Sequence, residues 1–163
     1  MRRFLIFLAV VLLAGPALAQ SGGYVSVLND SAGTALSGVA KTATFNSQTV
    51  NLQGYGTFCL ILDIGTVSGS SPTMDPKVQM TLDNGTTWLD TFPNALNAET
   101  QAALAQITAT KETAECWRNP FPNVAGFATA NNVTPRVRIV FTVGGSSPSF
   151  TFTKAYISAS ESP

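Results

Sequence analysis

The side chains that most often perform catalysis are scarce in this chain of 163 residues. It has no histidine, so it lacks an imidazole base and any Ser-His-Asp or Cys-His arrangement. A glycosidase needs two carboxylates facing each other across a cleft at roughly 5 to 10 Å. The acidic residues are scattered instead, apart from Glu112 and Glu115, which end a predicted helix. The composition predicts a protein that is not an enzyme and holds no cofactor.

Cys59 and Cys116 are the two cysteines. In an exported protein the default for two cysteines is one disulfide, which would also remove any thiol nucleophile. Two buried free thiols are the alternative. A zinc site usually takes four ligands, and there is no histidine to complete the set, so we predict no metal site.

The segment TLDNGTTW, from Thr81 to Trp88, resembles an Asp box. In such a hairpin Asp83 would close onto the turn backbone, Gly85 would take a positive φ and Trp88 would pack beneath. Sialidases contain several such boxes together with an arginine cluster and a tyrosine nucleophile. This chain has one box and few arginines, so we interpret the segment as a structural hairpin.

Four aromatic residues could contact a sugar, because aromatic rings pack well against apolar ring faces. They are Tyr24, Tyr55, Trp88 and Trp117. The alternative is that these rings pack beneath turns and beside the disulfide. The possible ligand contacts are therefore Tyr55, Trp88 and Trp117.

Most of the chain has the alternation of β-strands. Residues 58–64 are almost continuously apolar, whereas 77–82, 136–143 and 150–157 alternate between apolar and polar side chains. Turns rich in Gly, Ser, Pro and Asn separate these runs, which is typical of a sandwich rather than of βαβ units. We predict an antiparallel β-sandwich, of the jelly-roll or Ig-like type.

Two further features refine this fold. The sequence GSSP occurs at 69–72 and again at 145–148, between strand-like runs, and its turn-forming residues predict two similar hairpins. Between them, from Asn94 to about Thr110, an Ala-rich and Gln-rich stretch carries Leu96, Leu104 and Ile107 on one stripe. This stretch predicts one short inserted helix.

The first residues have the layout of a secretory signal peptide. Arg2 and Arg3 precede an apolar run, and small residues stand before Gln20. We predict a signal at 1–19 and a single domain at 20–163, with no membrane contact after cleavage; a retained anchor is the alternative. Removal takes two of the nine basic residues, leaving a slightly acidic domain that is unsuited to nucleic acid.

Two blocks of the sequence resemble small β-sandwich proteins of tailed phages and prophages. They are LDIGTVSGSSPTMDPKVQMTLDNGTTWLDT at 62–91 and RVRIVFTVGGSSPSFTFTKAYI at 136–157. The resemblance implies a virion accessory subunit of the head or tail, which would associate with itself or with capsid or tail proteins. Charged residues make up only 11% of the chain, which suits a surface partly covered by neighbours.

The export signal and the predicted disulfide favour a different class of function. They are typical of a secreted or periplasmic module that binds carbohydrate or a cell surface. The expected location is accordingly either outside the cytoplasm or on a virion surface.

Overall fold

The computed structural model describes residues 23–90, 104–119 and 135–161. The predicted signal segment lies outside these ranges. Within them the chain forms seven β-strands: β1 (Tyr24–Val27), β2 (Ala40–Lys41), β3 (Phe45–Asn46), β4 (Val50–Asn51), β5 (Tyr55–Thr81), β6 (Lys111–Arg118) and β7 (Arg136–Glu161). In this described part no helix is long and apolar enough to cross a membrane.

The fold is organised around two long strands, β5 and β7, that pair antiparallel along almost their whole lengths. Their register runs from Tyr55 opposite Glu161 to Thr81 opposite Arg136. The other strands attach to this pair. Strand β6 pairs with β5, and strands β1, β2, β3 and β4 each pair with β7. The prediction of a mainly antiparallel β fold is confirmed.

Strand β7 folds back on itself, which turns the sheet into two layers. Phe141 and Phe152 are eleven residues apart on this strand, and a straight strand would separate them by roughly 35 Å. Their ring centroids are 5.5 Å apart, edge to face, and Phe45 contacts both rings. Since β5 follows β7 through their pairing, the two-stranded ribbon folds over as one unit.

Each layer therefore contains half of both long strands. The first layer consists of β1, β2, residues 149–161 of β7, residues 55–68 of β5, and β6. The second layer consists of β3, β4, residues 136–144 of β7 and residues 73–81 of β5. One apolar core lies between the layers, and alternate residues of each strand fill it, including Phe58, Leu60, Leu62, Val78, Met80, Ile139, Phe141, Phe152 and Ile157.

The two GSSP segments form the corner at which the ribbon bends, and the prediction of two separate hairpins is wrong. They lie opposite each other on neighbouring strands, with Ser70 paired to Ser146. The backbone irregularities match: φ is 113° at Gly69 and 103° at Gly145, and 48° at Ser71 and 49° at Ser147. The Gly and Ser residues of GSSP favour turns, but each strand continues to pair beyond the corner. They therefore form a pair of facing β-bulges instead of two hairpin turns.

The predicted helix is also wrong over the part that the structure describes, residues 104–110. Leu104 donates its backbone N–H to the carbonyl of Pro76 at 3.0 Å, and Ile107 exchanges two backbone hydrogen bonds with Met74 at 2.9 Å. Both apolar side chains enter the core. Pairing with the edge of β5 outweighs the helical propensity of this stretch. The remainder of the prediction, 94–103, lies outside the described residues.

We expect Gly69→Ala to lower the free energy of unfolding by about 2 kcal/mol, because a side chain has no room at this left-handed position. A Cβ there would lie 2.6 Å from the carbonyl oxygen of Ser147 and 2.9 Å from Cα of Pro148. Urea denaturation measures the loss.

Gly23→Ala is the matched control, because the nearest atom to its Cβ would be the carbonyl oxygen of Ala159 at an ordinary 3.9 Å. We expect a change within about 0.5 kcal/mol for this variant. A Gly69→Ala protein as stable as the control would contradict the corner geometry.

Candidate binding surfaces

The Asp83 hairpin is held by a compact set of hydrogen bonds. A carboxylate oxygen of Asp83 accepts from the backbone N–H of Thr87 at 2.8 Å and from the hydroxyl of Thr81 at 2.7 Å. The Thr81 oxygen in turn accepts from the N–H of Gly85 at 3.0 Å. Gly85 has a φ of 98°, which explains the glycine.

These contacts stabilise the ionised form of Asp83. Hydrogen bonds from the backbone and side chain of Thr87, and then from Thr81, lower the pKa of Asp83 from its ordinary value of 3.8 to about 2. The carboxylate is fully engaged with its own turn. In this arrangement Asp83 acts as a structural acceptor and is not poised to exchange protons near neutral pH.

Trp88 is half-buried between this turn and the outer side of the second layer. A Cβ on Gly85 would lie 3.6 Å from its ring. On the sheet side, the guanidinium carbon of Arg138 lies 4.1 Å from the ring centroid, a cation–π contact. Arg138 also donates from Nε to the side-chain oxygen of Gln79 at 2.7 Å.

The same network extends along the strand. Asp90 accepts hydrogen bonds from the amide of Gln79 and from Nζ of Lys77, the latter at 3.0 Å, and both bonds lower its pKa. Partial burial lowers the pKa of Arg138, and the charge of Asp90 opposes that shift. We call this outer side of the second layer the polar face; it comprises Lys77, Gln79, Trp88, Asp90 and Arg138.

The outer side of the first layer has the opposite character. Because the residues at even positions from 58 to 62 and odd positions from 155 to 159 enter the core, their neighbours point outward. Two rows cross the strands there, one through Val25, Ser158, Cys59 and Cys116, and one through Val27, Tyr156, Ile61 and Ala114. We call these eight residues the apolar face.

The apolar face is open to solvent at its β1 side. Val25 is 61% exposed and Val27 is 58% exposed, while Ala114 on β6 is also exposed. Outward positions of an antiparallel sheet that meets water are usually polar. Within these two rows only Ser158 is polar, although the rows beyond them carry Glu112 and Arg118, so the centre of this side of the sheet has the composition of a contact surface.

The predicted disulfide is confirmed, and it lies within this face. Cys59 and Cys116 are directly opposite on β5 and β6, with their Cα atoms 4.0 Å apart. The bond fastens the edge strand β6 to the central ribbon. A disulfide is typical of an oxidising compartment, outside the cytoplasm.

The aromatic residues predicted to contact a ligand do not form one surface. Trp117 is 2% exposed and stacks on Phe58 in the core, with ring centroids 5.6 Å apart. Tyr55 packs at the core margin and contacts Tyr24 at 5.5 Å. Trp88 alone of the three predicted contacts lies on an outer side of a layer. Strand alternation explains Trp117: an outward disulfide at Cys116 turns the next side chain inward.

Over residues 23–90, 104–119 and 135–161, no three His, Cys, Asp or Glu side chains come together in a way that could hold a metal ion.

Comparison with known proteins does not identify a family for this chain. No family model and no curated protein matches the chain. A solved structure described as "CBM4 structure and function" is 19% identical, covers 87% of this chain and 76% of its own, and has a TM-score of 0.32. A similarity of that size supports no argument about fold or function.

We expect the hairpin to loosen only at strongly acidic pH. The pKa of Asp83 is about 2 in the folded chain against an ordinary 3.8, so ionised Asp83 stabilises the turn above that ordinary value. This contribution is lost as the pH falls through about 2. An NMR titration of the Thr87 amide shift should show that midpoint.

Asp83→Asn is the control, because it keeps an oxygen acceptor but cannot titrate. Its Thr87 amide should lack the acidic transition. A transition of the unaltered protein centred at the ordinary aspartate value would contradict the hydrogen-bonded turn.

We expect the double variant Cys59→Ala/Cys116→Ala to unfold with a free energy lower by about 4 kcal/mol on the chain-entropy model, given a sequence separation of 57 residues. Urea denaturation with and without reductant measures it. Reductant should destabilise the unaltered protein and leave the variant unchanged. Alkylation at two sites without prior reduction, seen by intact mass, would contradict the bond.

Proposed function

We propose that this protein is a non-catalytic assembly subunit, on the exterior of a virion or a similar particle. The main observation behind this proposal is the apolar face. Its two rows of outward side chains include Val25 and Val27, which are both more than half exposed. Exposed apolar rows cost free energy in water and stabilise a complex when they are covered. The subunit attaches to its neighbours through this face.

The contrast between the two layers supports this proposal. The polar face carries an ion pair between Lys77 and Asp90, and its amide and guanidinium groups hydrogen-bond one another. Such a surface stays in water at little cost. A sandwich with one apolar and one polar outer side is suited to bury its apolar side against a neighbouring subunit and to keep its polar side in water.

The two sequence blocks that resemble tailed-phage proteins are the reason for choosing a virion as the particle in this proposal. Block 62–91 covers most of β5 and the Asp83 hairpin, and block 136–157 covers most of β7. The strand parts of the two blocks are distant in sequence but pair with each other, with register shifts around the corner. The resemblance thus concerns the central ribbon. On this proposal the sandwich is of the jelly-roll or Ig-like type, and the signal at 1–19 is cleaved.

A second candidate is a secreted or periplasmic module that binds carbohydrate or a cell surface. The observation that favours it is Trp88, a half-buried ring on the polar face beside Gln79 and Arg138. An aromatic ring beside hydrogen-bonding side chains is a common element of sugar recognition. The disulfide suits this compartment as well.

Co-purification with particles tests the first candidate. We expect the protein to sediment with particles from its host, and we expect Val25→Glu/Val27→Glu to be released into the supernatant because charge on the apolar face opposes burial. Val39→Glu is the matched control, since Val39 is another exposed valine outside that face. It should remain particle-bound.

A different outcome would favour the second candidate. A protein absent from particles that binds a glycan on an array, and that loses this binding on Trp88→Ala, would contradict the assembly role. Retention of the folded state in each variant is checked by circular dichroism.

A further inference from the structure

We propose that the apolar face joins two copies of this chain, packed face to face about a two-fold axis that runs across the strands. This inference rests on the proposed assembly function and names the partner of the same surface. Two features of the molecule lead to it: the order of charges along β6 and the size of the outer side of the first layer.

Strand β6 has four outward positions, which run from one end of the first layer's outer side to the other. Glu112, Ala114, Cys116 and Arg118 alternate with residues that point to the core side, such as Trp117. Along β6 an acid thus stands at one end and a base at the other, with the apolar rows between them. Both charged residues are exposed, and six residues of strand separate them by about 20 Å. The row of Glu112 continues across the sheet through Asp63 and Lys154, whose opposite charges offset each other.

A two-fold axis across the strands reverses the strand direction of the second copy and keeps β6 over β6. Arg118 of each copy then faces Glu112 of the other, so the attraction occurs twice. The two apolar rows exchange places, so that the row through Val25 meets the row through Val27. A two-fold axis along the strands would place β6 over β1 instead, and neither charge would meet its opposite.

The outer side of the first layer has the area of a weak dimer contact. Three strands of about eight residues and the four residues of β1, about 4.8 Å apart, give roughly 440 Å² on each copy. Two copies together would cover roughly 900 Å², which is in the range of weak, transient interfaces. A contact of this size dissociates on dilution.

Sizing chromatography with light scattering, on the exported protein over a concentration series, tests the inference. We expect dimers that dissociate on dilution. Glu112→Arg and Arg118→Glu should each weaken dimerisation about tenfold, because each sets like charges opposite one another twice. The double exchange, Glu112→Arg/Arg118→Glu, should restore the dimerisation constant to within about threefold.

Glu115→Arg is the matched control, since this exposed residue lies on the same strand but belongs to the core-side set of β6 positions. It introduces the same charge change and should leave the dimer intact. Circular dichroism and thermal unfolding establish that every variant folds.

Two results would overturn the inference. One is a protein that stays monomeric at the highest concentrations reached, and the other is a dimer that both single charge reversals leave unchanged. A monomer that still co-purifies with particles would overturn this inference and leave the proposed function intact. A dimer that shows the expected response to the charge variants but never associates with particles would support this inference and overturn the proposed function.

Discussion

The continuous pairing of β5 with β7 is the constraint on which the rest of this structure depends. Each strand supplies backbone partners for the other on both sides of the corner, so neither can change layer without the other. The bend is possible because Gly69 and Gly145 adopt positive φ and let the two backbones approach closely. Every shorter strand then takes its place from an edge of this ribbon.

Strand alternation carries that constraint to the surfaces. Once Phe58 and Ile157 are committed to the core, Cys59 and Ser158 must point outward, and the same rule places Gln79 and Arg138 on the outside of the second layer. The outward side chains of the two layers differ in polarity. One is apolar and carries the disulfide, whereas the other is a hydrogen-bonded network beneath Trp88.

Much of this could be predicted from the sequence, because local patterns determine it. Alternation in 77–82 and 136–143 indicated strands, and the spacing of Asp83, Gly85 and Trp88 indicated a hairpin. The errors came from long-range pairing. GSSP has the residues of a turn, yet each copy finds its partner in the other, and Leu104 and Ile107 have helical spacing but pair with the edge of β5. Trp117 could have been placed in the core, had Cys59 and Cys116 been aligned as neighbours across two strands.

The disulfide also determines how the chain responds to a cut. Cys59 and Cys116 enclose nearly all of β5, the Asp83 hairpin and most of β6 in one covalent ring. A protease that cleaves a single peptide bond inside this ring leaves both pieces attached to each other and to the folded ribbon. The protein would migrate as one chain until a reductant separates the fragments.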